Sequence, residues 1–306
     1  MSTTDNIRLG QALAKFKELP GRTAYSFEEL FYHGAGVPLM ESWNQDQVMF
    51  CASAFKVLVV AAYLYYAERG ELPPQRPGTA PPQNVAQALA EPLEVTAADH
   101  TQSSRVLGDL TGRIIANAVL DAMIGYSDNT ATDIAMRRIG VDRIRAFMYG
   151  PAKIARDAVK IPDSTAAFLA YLHGGPNRYL INGYQSMLCT AAAMKRFYAQ
   201  CLARGTSPVK LFQEEATRRH FERVMSVATS VTQLIPEGRF CCMKSGEADF
   251  DGEHALAVAG AAFLHTRTIG FTLLYGWDGA DNYESGFQAY VAASKRVFDA
   301  LEALPG

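Results

Sequence analysis

Residues 50–68 have the sequence FCASAFKVLVVAAYLYYAE, in which Ser53 and Lys56 stand three positions apart at the start of an almost unbroken apolar run. Apolar residues on every side are typical of a helix buried inside a domain. The apolar part, residues 57–66, is too short to span a bilayer. We therefore predict a buried helix whose first turn places the Ser53 hydroxyl beside the Lys56 amine, since residues three apart share a helix face.

Two more polar motifs follow along the chain, Ser127-Asp128-Asn129 and Lys244-Ser245-Gly246. Taken alone, the first could be a polar turn that caps the helix beginning near residue 131, and the second a charge at the end of a strand. Ser207 and Lys210 repeat the Ser-x-x-Lys spacing, but in a stretch interrupted by Gly and Pro that predicts a loop. The three motifs are therefore informative as an ordered set, because each one alone has an ordinary structural explanation.

This ordered set resembles the Ser-x-x-Lys, Ser-Asp-Asn and Lys-Thr-Gly signature of serine β-lactamases and penicillin-binding proteins, with Ser in place of Thr in the third motif. The segments 50–58 and 126–131 resemble class A β-lactamases in particular. The resemblance implies an acyl-enzyme on Ser53. Lys56 would accept the Ser53 proton, Ser127 would pass a proton to the leaving group, and Lys244 would lower the pKa of Lys56.

The same resemblance implies residues that bind the substrate. Asn129 would orient Lys56 and a substrate amide, and Ser245 with Lys244 would hold a carboxylate. The motif residue Gly246 belongs to this binding strand, and the backbone N–H groups of Ser53 and Glu247 would form the oxyanion hole. Glu247 is itself a departure, because the family usually has a small or polar residue there, and its charge disfavours anionic, penicillin-like substrates.

A second departure concerns the base that activates water for deacylation. The family carries a Glu-x-x-x-Asn pattern in the loop after the second motif, and residues 150–187 contain no such pattern. Asp163 lies at about the right distance after Ser127 and is the candidate base, although an Asp that follows Pro is also typical of a turn.

The fold is predicted from the change of periodicity along the chain. A two-lobe α/β (α+β) fold is expected, with an antiparallel sheet flanked by terminal helices and an inserted all-helical lobe. Residues 1–50 and 228–306 would form the α/β lobe and residues 51–227 the helical lobe, with the active site at their junction. The predicted strands are residues 22–31, 37–43, 239–244, 255–264 and 268–277, and the first two are joined by a turn at residues 33–36. The predicted helices are residues 104–110, 114–124, 131–139, 141–149, 191–202, 214–227 and 283–304, beside a first helix that carries Ile7, Leu9, Leu13 and Phe16 on one face.

The composition and the net charge limit the classes of partner that the chain is expected to bind. The 306 residues are 49% hydrophobic and carry a net charge of -2, so attraction to nucleic acid or to an anionic membrane is not expected. Five cysteines and six scattered histidines indicate neither a disulfide framework nor a metal site, and no glycine-rich phosphate loop is present. We expect no cofactor and no metal. No secretory signal is visible, which favours the cytoplasm unless a leader has been removed. His100 and Tyr184 are candidates for the rim of the site.

Several functions remain open at this point. The acyl group on Ser53 could be hydrolysed, from a β-lactam or from another ester or amide, or it could be passed to an amine acceptor in a biosynthetic pathway. A small-molecule acyl donor is the expected partner in each case. A non-catalytic sensor that has kept the pocket is the alternative from another class, and it is disfavoured by the retention of every proton-handling residue.

Overall fold

The computed structural model describes residues 3–31, 38–174, 186–228, 232–250, 252–265, 267–279 and 283–304. The described helices are α1 (Thr3–Lys17), α2 (Lys56–Glu68), α3 (Val85–Ala90), α4 (Ala116–Gly125), α5 (Asn129–Ile139), α6 (Val141–Tyr149), α7 (Thr165–Gly174), α8 (Ala191–Leu202), α9 (Glu215–Ser226) and α10 (Tyr283–Glu302). The described strands are β1 (Arg22–Leu30), β2 (Met40–Trp43), β3 (Met49–Phe50), β4 (Pro92–Val95), β5 (Gly112–Ile115), β6 (Val159–Lys160), β7 (Leu188–Cys189), β8 (Phe240–Phe250), β9 (Glu253–Phe263) and β10 (Thr268–Asp278).

The central sheet has five antiparallel strands in the order β2-β1-β10-β9-β8. It joins the first strands of the chain to the last three, as predicted from the strand patterns at the two ends. The hairpin of β1 and β2 is confirmed by its pairing, while its predicted turn at residues 33–36 lies outside the described residues. Strand β8 lies at one edge of this sheet, so one of its sides is open to other elements.

Each face of the sheet covers its own apolar core. On one face the terminal helices α1 and α10 pack against aromatic side chains, and the rings of Phe271 and Phe298 lie 4.8 Å apart, edge to face. On the other face lies the helical lobe, whose central element is α2. Every side chain from residue 57 to residue 64 is fully buried, which confirms the predicted buried helix. Burying one such large apolar side chain contributes about 1.5–3 kcal/mol.

The two-lobe architecture is thus confirmed, and two small sheets that were not predicted accompany the helical lobe. One contains β3, β7 and β6, and the other is the hairpin of β4 and β5. The residue boundaries drawn for the lobes, at 50/51 and 227/228, stay a prediction. Within the described ranges, no helix has both the length and the hydropathy that a bilayer crossing requires.

Three predicted elements differ from the structure. Residues 104–110 form a loop instead of a helix, because the Asp128 carboxylate accepts hydrogen bonds from the backbone N–H groups of Val106 and Leu107 at 2.8 and 2.9 Å. The helix expected from residue 114 begins at residue 116, since Gly112–Ile115 pairs with β4. The strand expected to end at Lys244 continues to Phe250, because β9 pairs with its whole length. The third motif therefore lies in mid-strand.

Candidate active site

The candidate nucleophile Ser53 lies in a single 3₁₀ turn, Ala52–Phe55, that leads directly into α2. The Lys56 backbone N–H donates to the Ser53 carbonyl, which places the two residues one helical turn apart. Ala52 has a positive φ of 42°. The turn is anchored from outside by the Cys51 N–H, which donates to the Met187 carbonyl at 2.8 Å. The Ser53 side chain lies at the wall of a cleft.

Strand β8 runs against this turn, and Gly246 makes the approach possible. A Cβ atom added to Gly246 would be 2.0 Å from the Cys51 carbonyl oxygen, a distance at which the backbone would have to move. The third motif therefore requires glycine at this position for a steric reason. Because Gly246 has no side chain, the backbone of β8 can lie directly against the turn that carries the nucleophile.

Lys56 is fully buried and is held by the second motif. Its Nζ atom donates to the Ser127 carbonyl at 2.5 Å and to Asn129 Oδ1 at 2.8 Å, and it lies 3.4 Å from Ser127 Oγ. Burial lowers the pKa of the Lys56 amine well below its ordinary value, and the nearby Lys244 lowers it further, while Asp128 and Asp133 oppose this. A neutral amine can use its two hydrogens in these bonds and keep its lone pair for a proton.

The second motif lies in a strained turn between α4 and α5. Ser127 has a φ of 57°, which is rare for a residue with a side chain. Asp128 is fully buried and caps α5 by accepting from the Ala131 N–H at 2.8 Å, so the helix cap expected from the sequence is present. Since the same carboxylate also holds the loop at residues 106 and 107, Asp128 ties that loop to the start of α5, directly after Ser127.

Lys244 approaches the same hydroxyl from β8. Its buried Nζ atom donates to Ser127 Oγ at 3.1 Å and to the Ser245 carbonyl at 2.8 Å. Burial lowers the pKa of Lys244 to about 7, while the charge of Glu247 opposes this change. The Ser127 hydroxyl thus has one buried lysine on each side. Both amines have a lowered pKa, which is the electrostatic condition that a proton relay requires.

The cleft at this point has a volume of about 380 Å³. Its lining includes Ser53, Ser127, Asn129, Ser245 and Glu247 from the predicted site, and an aromatic wall of Phe50, Phe168 and Phe250. The rings of Phe50 and Phe168 are stacked with their centroids 5.8 Å apart. Among the described residues, seven other than glycine have a positive φ, and four of them line this cleft: Ala52, Ser103, Ser127 and Met187. Such concentration of backbone strain is typical of functional sites.

Asp163, the predicted deacylation base, is not brought to the cleft. Its side chain is 79% exposed and pairs with Arg145 at 2.6 Å. Two residues further on, α7 begins with Thr165, whose hydroxyl donates to the Asn129 carbonyl, and Thr165 and Phe168 line the cleft. Among the described lining residues, the carboxylates are those of Glu247 and Asp249, and both belong to β8.

The other candidates have separate positions. The His100 ring lies 2.9 Å from the Leu110 carbonyl and is not part of the described cleft lining, and Tyr184 lies outside the described residues. Ser207 and Lys210 lie in a turn, as predicted. Within the described part of the chain, no three His, Cys, Asp or Glu side chains are grouped so as to hold a metal ion.

Sequence reasoning missed Asp133. Its carboxylate accepts from the Thr165 N–H at 2.6 Å and from the Ala166 N–H at 3.0 Å, and it therefore ties α5 to the start of α7. Its charge also favours protonated Lys56. The available signal was its spacing, since Asp133 follows Asn129 by four residues and therefore shares its helix face.

The comparisons with known proteins agree with this geometry. The sequence pattern of the Beta-lactamase enzyme family matches residues 39–262. Among solved structures, a β-lactamase from Xanthomonas campestris pv. campestris is 17% identical, with a TM-score of 0.72 and all of both chains covered. A class A β-lactamase from Mycobacterium abscessus is 16% identical, with a TM-score of 0.69, and 97% of this chain and 100% of that one are covered. An acyl-enzyme complex of a PBP-A mutant with penicillin G is 15% identical, with a TM-score of 0.69 and coverage of 98% and 97%. No protein with a curated description matches the chain in sequence.

Proposed function

Because the chain belongs to the Beta-lactamase enzyme family, we propose that it cleaves an ester or amide through a covalent acyl-enzyme on Ser53. The observation that carries this proposal is the position of the Ser127 hydroxyl, 3.4 Å from Lys56 Nζ and 3.1 Å from Lys244 Nζ. Buried amines with lowered pKa values on both sides of one hydroxyl give a path for a proton from the nucleophile to a leaving group.

In the proposed acylation, Ser53 Oγ attacks the carbonyl carbon of the donor while neutral Lys56 accepts its proton. The backbone N–H groups of Ser53 and Glu247 stabilise the oxyanion. Ser127 then passes a proton to the leaving atom and regains one from Lys56, so that the C–O bond to Ser53 replaces the bond to the leaving group. Asn129 accepts the 2.8 Å bond from Lys56, while its Nδ2 donates one hydrogen to the Gln102 carbonyl at 2.9 Å and keeps the second for the donor. Ser245 lies along the same cleft.

The fate of the acyl-enzyme distinguishes two candidate functions. Hydrolysis of a β-lactam or a related amide or ester needs a base beside the acyl carbon. The side of the cleft formed by α7 has Thr165 and Phe168 at its lining, and Asp163 is bound to Arg145. This arrangement favours the second candidate, a transacylase that passes the acyl group to an amine, because an amine needs less activation than water.

Intact-mass spectrometry tests the proposal. The wild-type protein is incubated with penicillin G and, separately, with p-nitrophenyl acetate. Each donor should add the mass of its acyl part to the protein, by one equivalent, within minutes. A non-catalytic binding protein would show no covalent mass increase with either donor, and that outcome would reject the proposal.

A further inference from the structure

A row of polar side chains on β8 borders the leaving-group side of the cleft. Residues two apart along a strand share a face, so Ser245, Glu247 and Asp249 project together, and all three line the cleft. Ser127 is the proposed donor of a proton to the leaving atom, and it is bound to Lys244, the residue that precedes this row. A substituent on the leaving group that reaches Ser245 therefore also reaches Glu247.

The two carboxylates of the row differ in their partners. Asp249 Oδ1 lies 2.9 Å from Nδ1 of the buried His254, whose Nε2 is 2.7 Å from the Gly279 carbonyl. Glu247 is exposed, and among the described residues no lysine, arginine or histidine lies within ion-pair distance of it. Its described polar neighbour is the neutral Tyr283, whose pKa is raised by burial and then by Glu247.

Lys244 offsets the charge of Glu247 only in part for an incoming ligand. Its ammonium is fully buried, and its bonds go to Ser127 and to the Ser245 carbonyl. Burial also lowers the pKa of Lys244 to about 7, which removes part of its positive charge at neutral pH. Arg105 also lines the cleft, but it lies on the loop at residues 104–110, and among the described residues no ion pair joins it to Glu247. A substrate carboxylate at Ser245 would thus meet the negative charge of Glu247 with only the partial charge of Lys244 on the same strand to offset it.

We propose that Glu247 selects the acyl donor by charge, so that a leaving group with an ammonium is favoured and one with a carboxylate reacts more slowly. This inference rests on the proposed acyl transfer through Ser53. The reaction balances with the donor alone: the carbonyl carbon exchanges its bond to the leaving atom for a bond to Ser53 Oγ, and the Ser53 proton leaves with the cationic leaving group.

The test uses three thioesters with one acyl group and leaving groups of nearly equal size. Phenylacetyl is the acyl group, because the aromatic wall of Phe50, Phe168 and Phe250 accepts an aromatic ring. The leaving thiols are cysteamine, 2-mercaptoethanol and 3-mercaptopropionate, which are cationic, neutral and anionic. The rate of acylation is measured from the release of the thiol, and the adduct is identified by its mass. The rate measured with Ser53→Ala is subtracted as background.

The expected wild-type order of kcat/KM is cationic, then neutral, then anionic, with about tenfold between the first and the last or more. Glu247→Gln should reduce this ratio to near one, and Glu247→Lys should reverse it. Glu237→Gln is the matched control, since this exposed glutamate precedes β8, lies ten positions from Glu247 and is not part of the described cleft lining, and it should keep the wild-type order.

The outcomes separate the two proposals. Equal rates for the three donors on the wild type, or the same order in Glu247→Gln, would overturn the role of Glu247 while leaving acyl transfer intact. An absence of adduct from all three donors would reject acyl transfer and this inference together. Far-ultraviolet circular dichroism of each variant confirms that a changed rate does not come from unfolding.

Discussion

Gly246 packs directly against the backbone of Ser53: a Cβ atom built on Gly246 would lie 2.8 Å from the Ser53 nitrogen and 2.8 Å from the Ala54 nitrogen. These neighbours are backbone atoms of the turn that begins α2, so they cannot rotate away as a side chain would. The position of the nucleophile is therefore coupled to the position of β8 by contact.

Gly246→Ala should displace Ser53 from the edge of β8. We expect acylation to slow by about 100-fold, the size of effect that a misplacement near 1 Å produces. Overpacking should also lower the free energy of unfolding by about 1–3 kcal/mol. Gly10→Ala is the control, because no atom lies within 4 Å of its added Cβ and alanine favours a helix. Chemical denaturation and burst kinetics of the two variants measure both effects. An unchanged acylation rate in Gly246→Ala would contradict the coupling.

Lys56→Ala and Lys244→Ala should both slow acylation by orders of magnitude, but with different dependence on the donor. Removing Lys56 removes the base and should affect every donor alike. Removing Lys244 removes a positive charge beside Ser245 and should penalise anionic donors most. Rates with a matched neutral and anionic donor give the comparison. Equal losses for the two donors in Lys244→Ala would reject its role in holding an anionic group.

The pH dependence of the free energy of unfolding should show what it costs to bury the charge of Lys244. Its pKa is about 7 in the folded protein and 10.5 ordinarily, so the unfolded chain binds the extra proton between these values. The cost of burying Lys244 is therefore fully present below about pH 7, where both states are protonated, and fades as the pH rises toward 10.5. Each pKa unit corresponds to about 1.4 kcal/mol.

Lys244→Met removes that charge, so its free energy of unfolding relative to wild type should be most favourable below pH 7 and should fall as the pH increases. Denaturant titrations from pH 6 to pH 10 measure the difference. Lys295→Met, at an exposed lysine on α10, gives the reference for a change of net charge alone. If the difference in free energy of unfolding between wild type and Lys244→Met does not change with pH, burial does not lower the pKa of Lys244.

The buried helix and its Ser53–Lys56 pair could be predicted from local period and short spacing, and the two lobes from the change of periodicity along the chain. The meeting of Lys56, Ser127 and Lys244 could be expected only from the resemblance of the three motifs to a known family, because these residues are far apart in sequence. The loop at residues 104–110 could not, since its backbone is captured by Asp128 from another part of the chain. The position of the Asp163 side chain could not be predicted for the same reason, because its partner Arg145 is eighteen residues distant in sequence. The strained φ of Ala52 and Ser127 is imposed by tertiary contacts and leaves no mark in composition.

Slow deacylation should follow from the lining of the cleft. The acyl-enzyme formed from penicillin G should persist in buffer and should clear faster when glycine methyl ester is added, with an amide as product. Asp163→Asn should leave the lifetime unchanged, because Asp163 is exposed and paired with Arg145. Adduct lifetimes by mass spectrometry decide the matter. Fast hydrolysis that amines do not alter and that Asp163→Asn stops would restore Asp163 as the base and a plain β-lactamase function.

The account depends above all on Ser53 as the nucleophile, and a pair of serine variants tests it. Ser53→Ala and Ser207→Ala are incubated with p-nitrophenyl acetate, and intact-mass spectrometry with peptide mapping records the adduct. Both serines precede a lysine by three residues, but only Ser53 lies in the cleft with Ser127. We predict that Ser53→Ala abolishes labelling and that Ser207→Ala labels at the wild-type rate, on Ser53. Labelling that persists in Ser53→Ala, or that maps to another residue in the wild type, would contradict the account.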